Sequence, residues 1–272
     1  MSKMYYVTEK GILSDLVFSP DNLNADSSVY EVIRVKDGIA LFLEDHYSRL
    51  KNSISTQNMD SVFSFSEFKN KIVELISINK TTEGNIRFVL SANKSEVHWA
   101  FTIISHSYPS QEEYRLGVPI GLLFSERENP NAKIIQSNLR DKANQMIKEK
   151  LLYEVLLVDR DGMITEGSRS NVFFVKNGVF YTETAAKILP GITRAKVMEC
   201  IQSLSYKVIE QSVSVNEIIE FDAVFLTGTS PKVLPVRSIE KTIFGTDNEF
   251  VLELIDRYDL MIADYLKNEK SV

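Results

Sequence analysis

The chain has 272 residues, 44% of them apolar, and 31 basic against 37 acidic side chains for a net charge of −6. That is enough apolar material for one large core or two smaller ones, and the acidic balance, without a basic run or aromatic–basic interleaving, argues against a nucleic-acid partner. No window approaches the roughly 18 to 20 apolar residues of a bilayer span, and MSKMYYVTEKGILSDLVF lacks the core of a signal peptide, so a soluble cytoplasmic protein that meets no membrane is expected.

In chain order, SSVYEVIRVKDGIALF reads as two β-branched apolar runs joined by the hairpin signal Lys36-Asp37-Gly38. Residues 44 to 56 switch to a helical period with Tyr47, Leu50 and Ile54 on one face, and Phe68, Ile72, Leu75 and Ile76 mark a second helix. IRFVLSA (86–92) and VHWAFTIIS (97–105) read as strands, so the first hundred residues or so describe helices beside an antiparallel sheet. SHSYPSQEEY (105–114) is polar and holds a proline, which places a boundary between a small α+β domain over 1–110 and a larger domain over 111–272.

The larger domain opens with the strand GVPIGLLF and the loop ERENPNA. NLRDKANQMIKEKLL (138–152) suits a helix with Ala143, Met146, Ile147 and Leu151 recurring at helical spacing. YEVLLV, MIT, NVFFV and VFYT then read as a meander, with turns at Asp161-Gly162 and Asn177-Gly178. Helices over 194–203 and 248–266 complete a β-rich body.

His46, His98 and His106 stand at no metal-ligand spacing and the single cysteine excludes a disulfide, so no metal is expected. Cys200, in AKVMECIQSL, reads as a buried helix position, and His46 as a packing or capping residue. Three stretches suit an anion. In ILPGITRAKVMECIQSL (188–204) a helix starts after Pro-Gly, with the amides of Ile192 and Thr193 at its N-terminus; equally, Thr193 simply caps that helix. In FLTGTSPKV (225–233) a strand runs into Gly228 and Thr229, which brings amides and hydroxyls together, although many strands end in such a turn. Arg49, in LEDHYSRL, can reach a pocket with a bidentate grip on an oxyanion, or pair with Asp45 one helical turn away. Finally, MITEGSRSNVFFV (163–175) sets the carboxylate of Glu166 at a turn between strand-like runs, with Gly167 making room and Ser168, Ser170 and Asn171 orienting the acid or bracing the turn. Anion sites beside a turn carboxylate, without a metal signature, point to a cofactor with both a phosphate and a basic ring atom; pyridoxal phosphate is such a molecule.

SSVYEVIRV, FLEDHYSRL, YEVLLVDRDGMITEGSRSNVFFV, LPGITR and FLTGTSPKVLPV, in this order and spacing, resemble the class IV aminotransferases, the pyridoxal-phosphate fold type IV group that includes branched-chain and D-amino acid aminotransferases and aminodeoxychorismate lyase. The resemblance runs from about residue 28 to 240. It implies an α+β fold of two domains, the small one N-terminal and the larger a β-rich pseudo-barrel, in a homodimer acting on amino acids and 2-keto acids. It makes Lys133, twenty positions before the YE strand, the Schiff-base lysine, and Glu166 the partner of the pyridine nitrogen. Arg49, Ile192, Thr193, Gly228 and Thr229 become phosphate ligands; Tyr30 lines the substrate pocket, and Ser230 falls in a stretch that contacts the substrate carboxylate. The apolar step AKII around Lys133 suits a partly desolvated amine, whose pKa burial lowers.

Three stretches depart from the patterns of the subgroups. Ala92-Asn93-Lys94 stands where D-amino acid aminotransferases carry an arginine for the substrate carboxylate, and Val32 replaces a threonine of the lyase pattern. Ile-Gln-Ser-Asn-Leu, from Ile135 to Leu139, replaces the Gly-Asn-Tyr run of branched-chain enzymes, with Asn138 as a stand-in for its tyrosine. The expectation is an aminotransferase, with the pyruvate-eliminating lyase and a non-catalytic relative of the fold as alternatives.

Overall fold

The computed structural model describes residues 4–19, 23, 28–59, 63–93 and 96–271. They form two compact units: Met1–Ser107 with Ala132–Ile135 and Asp264–Val272, and Tyr108–Asn131 with Gln136–Ala263. The chain thus leaves the second unit at Asn131, contributes four residues to the first, and returns, an excursion that no local composition shift announces.

The first unit holds β1 (Tyr5–Thr8), β2 (Gly11–Ser14), β3 (Val29–Lys36), β4 (Ile39–Ala40), α1 (Leu43–Thr56), α2 (Phe65–Asn79), β5 (Gly84–Asn93) and β6 (Glu96–Ile104). Its sheet runs β2-β1-β6-β5-β3-β4, antiparallel throughout, as the sequence predicts for this half. β3 alternates strictly: Val29, Glu31, Ile33 and Val35 are buried while Tyr30, Val32, Arg34 and Lys36 are half-buried. Leu50 and Ile54 of α1 and Phe68, Ile72 and Leu75 of α2 join Ile33, Val35, Phe88 and Phe101 in one core, each such side chain contributing about 1.5–3 kcal/mol by burial. Asp37 (φ 51°) and Gly38 (φ 76°) both take the left-handed region that the Asp-Gly hairpin demands.

The second unit holds α3 (Gln111–Leu116), β7 (Val118–Phe124), α4 (Ser137–Lys150), β8 (Glu154–Val158), β9 (Met163–Gly167), β10 (Asn171–Lys176), β11 (Val179–Thr182), α5 (Ile192–Ser203), β12 (Lys207–Glu210), β13 (Val213–Ser214), β14 (Ala223–Gly228), β15 (Lys232–Ile239) and β16 (Thr242–Ile243). α6 (Glu249–Lys270) begins here and gives its last residues, from Asp264, to the first unit. The sheet follows β12-β11-β10-β14-β15-β7-β8-β9-β13, with β16 paired to β15. β8, β10 and β14 are buried almost throughout, which matches their continuous apolar runs.

The expected meander holds only in part. β8 pairs with β9 and β10 with β11, but β9 does not pair with β10; β10 lies beside β14 instead. β9 and β10 nevertheless pack on each other from distant places along the ladder, so this sheet curls on itself into the pseudo-barrel. A strand such as β10, buried on both faces, has no one-sided alternation to announce its neighbour, which is why the meander read from sequence misplaces this pairing. The boundary stretch also contains α3, started by a capping box between Ser110 and Glu113. α4 stops at Lys150, and Leu151 closes it in the left-handed region (φ 55°), 86% exposed instead of on the apolar face. α6 continues to Lys270, past the expected end at 266, and the hairpin of β1 and β2 was not foreseen.

Candidate active site

Lys133 is fixed by its backbone. Its N–H donates to Ser53 Oγ (3.0 Å), on the buried side of α1, and its carbonyl accepts from Tyr30 N–H (3.0 Å). The next residues continue the zip, as Ile134 bridges Val29 and Ile135 N–H donates to Ser28 O (2.9 Å). Lys133, Ile134 and Ile135 thereby extend the edge of β3, and the Lys133 amine stands 4.8 Å from the centroid of the Tyr30 ring. Arg87, opposite Val32 on β5, brings its guanidinium to 5.8 Å from the same ring. Lys133 and Tyr30, selected from sequence, are thus together; Arg87 and Ser53 were missed, although the period of two in β5 and of 3.6 in α1 places each on its face.

Arg49 makes a bidentate contact with the Glu31 carboxylate of β3: Nε reaches Oε1 at 2.8 Å and Nη2 reaches Oε2 at 2.6 Å. His46 adds Nδ1 to Oε2 at 2.8 Å, donating because its partner is ionised. Glu31 is fully buried, and burial alone pushes its carboxyl up; the charge and hydrogen bonds of Arg49, with His46, overcome this and bring it down to about 2. Burial pushes His46 below its usual range, opposed by Glu31 and reinforced by the charges of Arg49 and Lys133. His46 is therefore the buried packing residue expected, and a hydrogen-bond donor besides.

Both shifts act in the same direction on stability. A lowered folded-state pKa means that the unfolded chain takes up protons first, so stability is present at neutral pH and falls on acidification. His46 begins this loss below about pH 6.5, and Glu31 continues it from about 4.5 down to about 2, where its share is on the order of 3 kcal/mol. In Glu31→Gln, urea unfolding followed from pH 5 to 2 is expected to lose most of its pH slope and to start from lower stability. A slope equal to that of the parent chain would show that another carboxylate carries the acid transition.

In the second unit Glu166 is the penultimate residue of β9 and is buried. Its Oε1 accepts from Arg127 Nε (2.7 Å), and its Oε2 from Leu189 N–H (3.1 Å) and Asn171 Nδ2 (3.3 Å). Arg127, which the sequence hid within an ordinary loop, also donates from Nη2 to Ser168 O (3.1 Å). Ser168 and Ser170 do not orient Glu166. They donate to a second buried acid, Glu154, at 2.7 and 3.1 Å, where the amides of Val155 (2.9 Å) and Arg169 (3.1 Å) complete the shell. Glu154 thus braces the turn that follows Glu166. Gly167 makes room as expected, since a Cβ there would collide with Ser170 Oγ and stand 3.2 Å from Ser170 O.

The stretch ILPGITR resolves in favour of a glycine-started helix. Gly191 is the N-cap of α5 and no side chain caps it, so Thr193 is not a cap; Ile192 and Thr193 lie buried in the first turn with their amides at the positive end of the helix dipole. β14 ends at Gly228, and Thr229 and Ser230 occupy the half-buried turn into β15. Next to it, Thr227 Oγ1 is buried without a hydrogen-bond partner. An uncapped helix start, an orphaned hydroxyl beside a hydroxyl-rich turn and a carboxylate set against a guanidinium suit a phosphate at one end and a protonated ring nitrogen at the other.

Tyr30, Arg49 and Lys133 therefore belong to the first unit, and Glu166, Ile192, Thr193, Gly228, Thr229 and Ser230 to the second. Of the remaining expectations, Asn138 is exposed in the first turn of α4 and Lys94 falls outside the described residues. Cys200 is buried, and burial pushes its thiol up to about 11, consistent with a packing role. Among the described residues no group of His, Cys, Asp or Glu is arranged for a metal, and no helix is long and apolar enough to cross a membrane.

A family model described as amino-transferase class IV matches residues 28–239. A D-alanine aminotransferase of Bacillus licheniformis is 31% identical over 242 residues, 80% of this chain and 81% of the relative. In fold, the branched-chain aminotransferase of Thermoproteus uzoniensis with norvaline superposes with a TM-score of 0.86 at 21% identity, covering 97% of this chain and 96% of its own. A T.th. branched-chain amino acid aminotransferase with pyridoxamine 5'-phosphate gives 0.84 at 23% identity, over 95% and 93%.

Proposed function

This chain belongs to the class IV aminotransferases, which are pyridoxal-phosphate enzymes, and on that premise we propose that it moves an amino group between an amino acid and a 2-keto acid with Lys133 as the cofactor-bearing residue. The observation that carries the reading is the setting of Lys133: both of its peptide groups are tied down while its amine stands over the Tyr30 ring. A fixed backbone sets the origin from which the side chain of a residue that must bear the cofactor and then act on the substrate reaches both.

When bound, the cofactor supplies a carbonyl carbon that takes up an amine and a ring that withdraws electrons. The Lys133 amine takes the proton from the substrate α-carbon and delivers it later in the turnover. Glu166, seated by Arg127, Leu189 and Asn171, holds the proton of the ring nitrogen. The amides of Ile192, Thr193 and Gly228, the hydroxyls of Thr193 and Thr229, and Arg49, oriented by Glu31, hold the phosphate. Tyr30 and Ser230 line the substrate side. The same reading makes the protein a cytoplasmic homodimer, and a monomeric mass by light scattering would contradict it.

The test is a half-reaction screen. Protein loaded with pyridoxal phosphate is mixed with L- and D-amino acids singly, and decay of the visible band of the lysine-linked cofactor is followed; at least one amino acid is expected to discharge it, and 2-oxoglutarate or another keto acid to restore it. A flat response to every amino acid would refute aminotransfer. Pyruvate release from aminodeoxychorismate without amine transfer would replace it with the lyase reaction.

A further inference from the structure

We propose that Asn171 is a positioning residue that locks the ring-nitrogen acid to the phosphate-binding turn, so that Glu166 and the start of α5 move as one body. The inference rests on the reading of Glu166 and the α5 N-terminus as two ends of the cofactor site.

Asn171 opens β10 and is 5% exposed. Its Nδ2 has two hydrogens, and the structure gives each an acceptor: Glu166 Oε2 at 3.3 Å and Leu189 O at 3.0 Å. The Leu189 N–H in turn donates to the same Glu166 oxygen at 3.1 Å, closing a ring of three hydrogen bonds among the acid, the amide and the peptide of residue 189. On its other side, Asn171 Oδ1 lies so close to Gly191 that a Cβ there would collide with it. Leu189 and Gly191 are separated only by Pro190, whose φ is fixed, so a shift of the Leu189 peptide is passed on to the N-cap and first amides of α5. The backbone of Asn171 also pairs with Thr227, the residue before Gly228 in the second hydroxyl-rich turn. One side chain and its peptide thus gather the end of β9, the approach to α5 and the end of β14.

The chemistry requires asparagine. Aspartate has no hydrogen to donate and would set a second carboxylate against Glu166, and glutamine is one methylene longer where even the Cβ of an alanine at Gly191 would not fit. Nothing in this arrangement has Asn171 touch substrate or cofactor; its effect is to keep the two anchoring groups at a fixed separation, so that the free energy of holding phosphate is not spent on ordering the turn.

The probe is inorganic phosphate alone, titrated calorimetrically into the apoprotein, followed by pyridoxal phosphate. In Asn171→Ala, phosphate affinity is expected to fall at least fivefold and pyridoxal phosphate affinity at least tenfold, with kcat reduced and KM for the amino donor held within about twofold. In the unaltered protein, saturating phosphate should slow hydrogen exchange of the Leu189 amide at least threefold, although that amide serves Glu166 and not the phosphate. A folded Asn171→Ala that keeps the parent affinity for phosphate overturns the proposal. So does a Leu189 amide whose exchange ignores phosphate, and this second measurement decides alone if the variant fails to fold. Parent protein that takes up neither phosphate nor pyridoxal phosphate would refute the cofactor-site reading and this inference with it; normal uptake with Asn171 indifferent refutes the inference only.

Discussion

Replacing Lys133 by alanine is expected to cut amino transfer by about four orders of magnitude while leaving the fold intact, the upper end of what positioned proton transfer contributes. The loss is large because, in the proposed function, one amine serves twice, as the group that carries the cofactor and as the base at the α-carbon. The fold survives because the peptide of residue 133 is tied down: the N–H to Ser53 Oγ and the carbonyl to Tyr30 N–H are available to alanine, whereas the contact of the amine with the Tyr30 ring disappears. Borohydride treatment before proteolysis gives a check independent of rate. In the parent chain mass spectrometry should find the reduced adduct on the peptide containing Lys133, and in the variant on none; an adduct that persists in the variant would transfer the role to another lysine.

Glu166→Gln is expected to keep the cofactor bound and to slow turnover by about 10²- to 10³-fold, equivalent to roughly 3–4 kcal/mol of lost transition-state stabilisation. The amide has nearly the size of the acid and still accepts from Leu189, so the turn persists, but the charge proposed to hold the ring-nitrogen proton is gone. A second cost falls on stability. Arg127, whose side chain is 10% exposed, loses the carboxylate charge beside its Nε, and weakening such a buried pair lowers stability in denaturant unfolding. Adding Arg127→Met to the same chain should recover most of that stability and none of the rate. Turnover unchanged in folded Glu166→Gln would make Glu166 a structural acid.

Elements governed by near neighbours were legible in the sequence. The Asp37-Gly38 and Asn177-Gly178 turns take the positive φ values their residue types favour, and the periods of α1, α2 and β3 reproduce their buried faces. Composition could not single out Lys133 among the lysines; the order of five motifs did, and the zip onto β3 gives that choice a structural setting. The Glu31 partner of Arg49 was not legible, because in sequence Glu31 lies 18 residues away on another element. The packing of α1 on β3 brings the two together as a dry bidentate pair.

By itself, then, the sequence determined the α+β class, the alternation of its elements and the family, and it named candidate cofactor contacts, because each is written in residue type at short spacing or in motif order. Only the tertiary structure decided which donor serves which acid: Ser168 and Ser170 turn to Glu154, whereas Asn171 and Arg127 turn to Glu166. It also decided that β10 pairs with β14 and not with β9. The reason is common to both. A strand buried on both faces and a turn crowded with short polar side chains each admit several neighbours at nearly equal local cost, and the choice falls to distant segments that the curling of the sheet brings alongside.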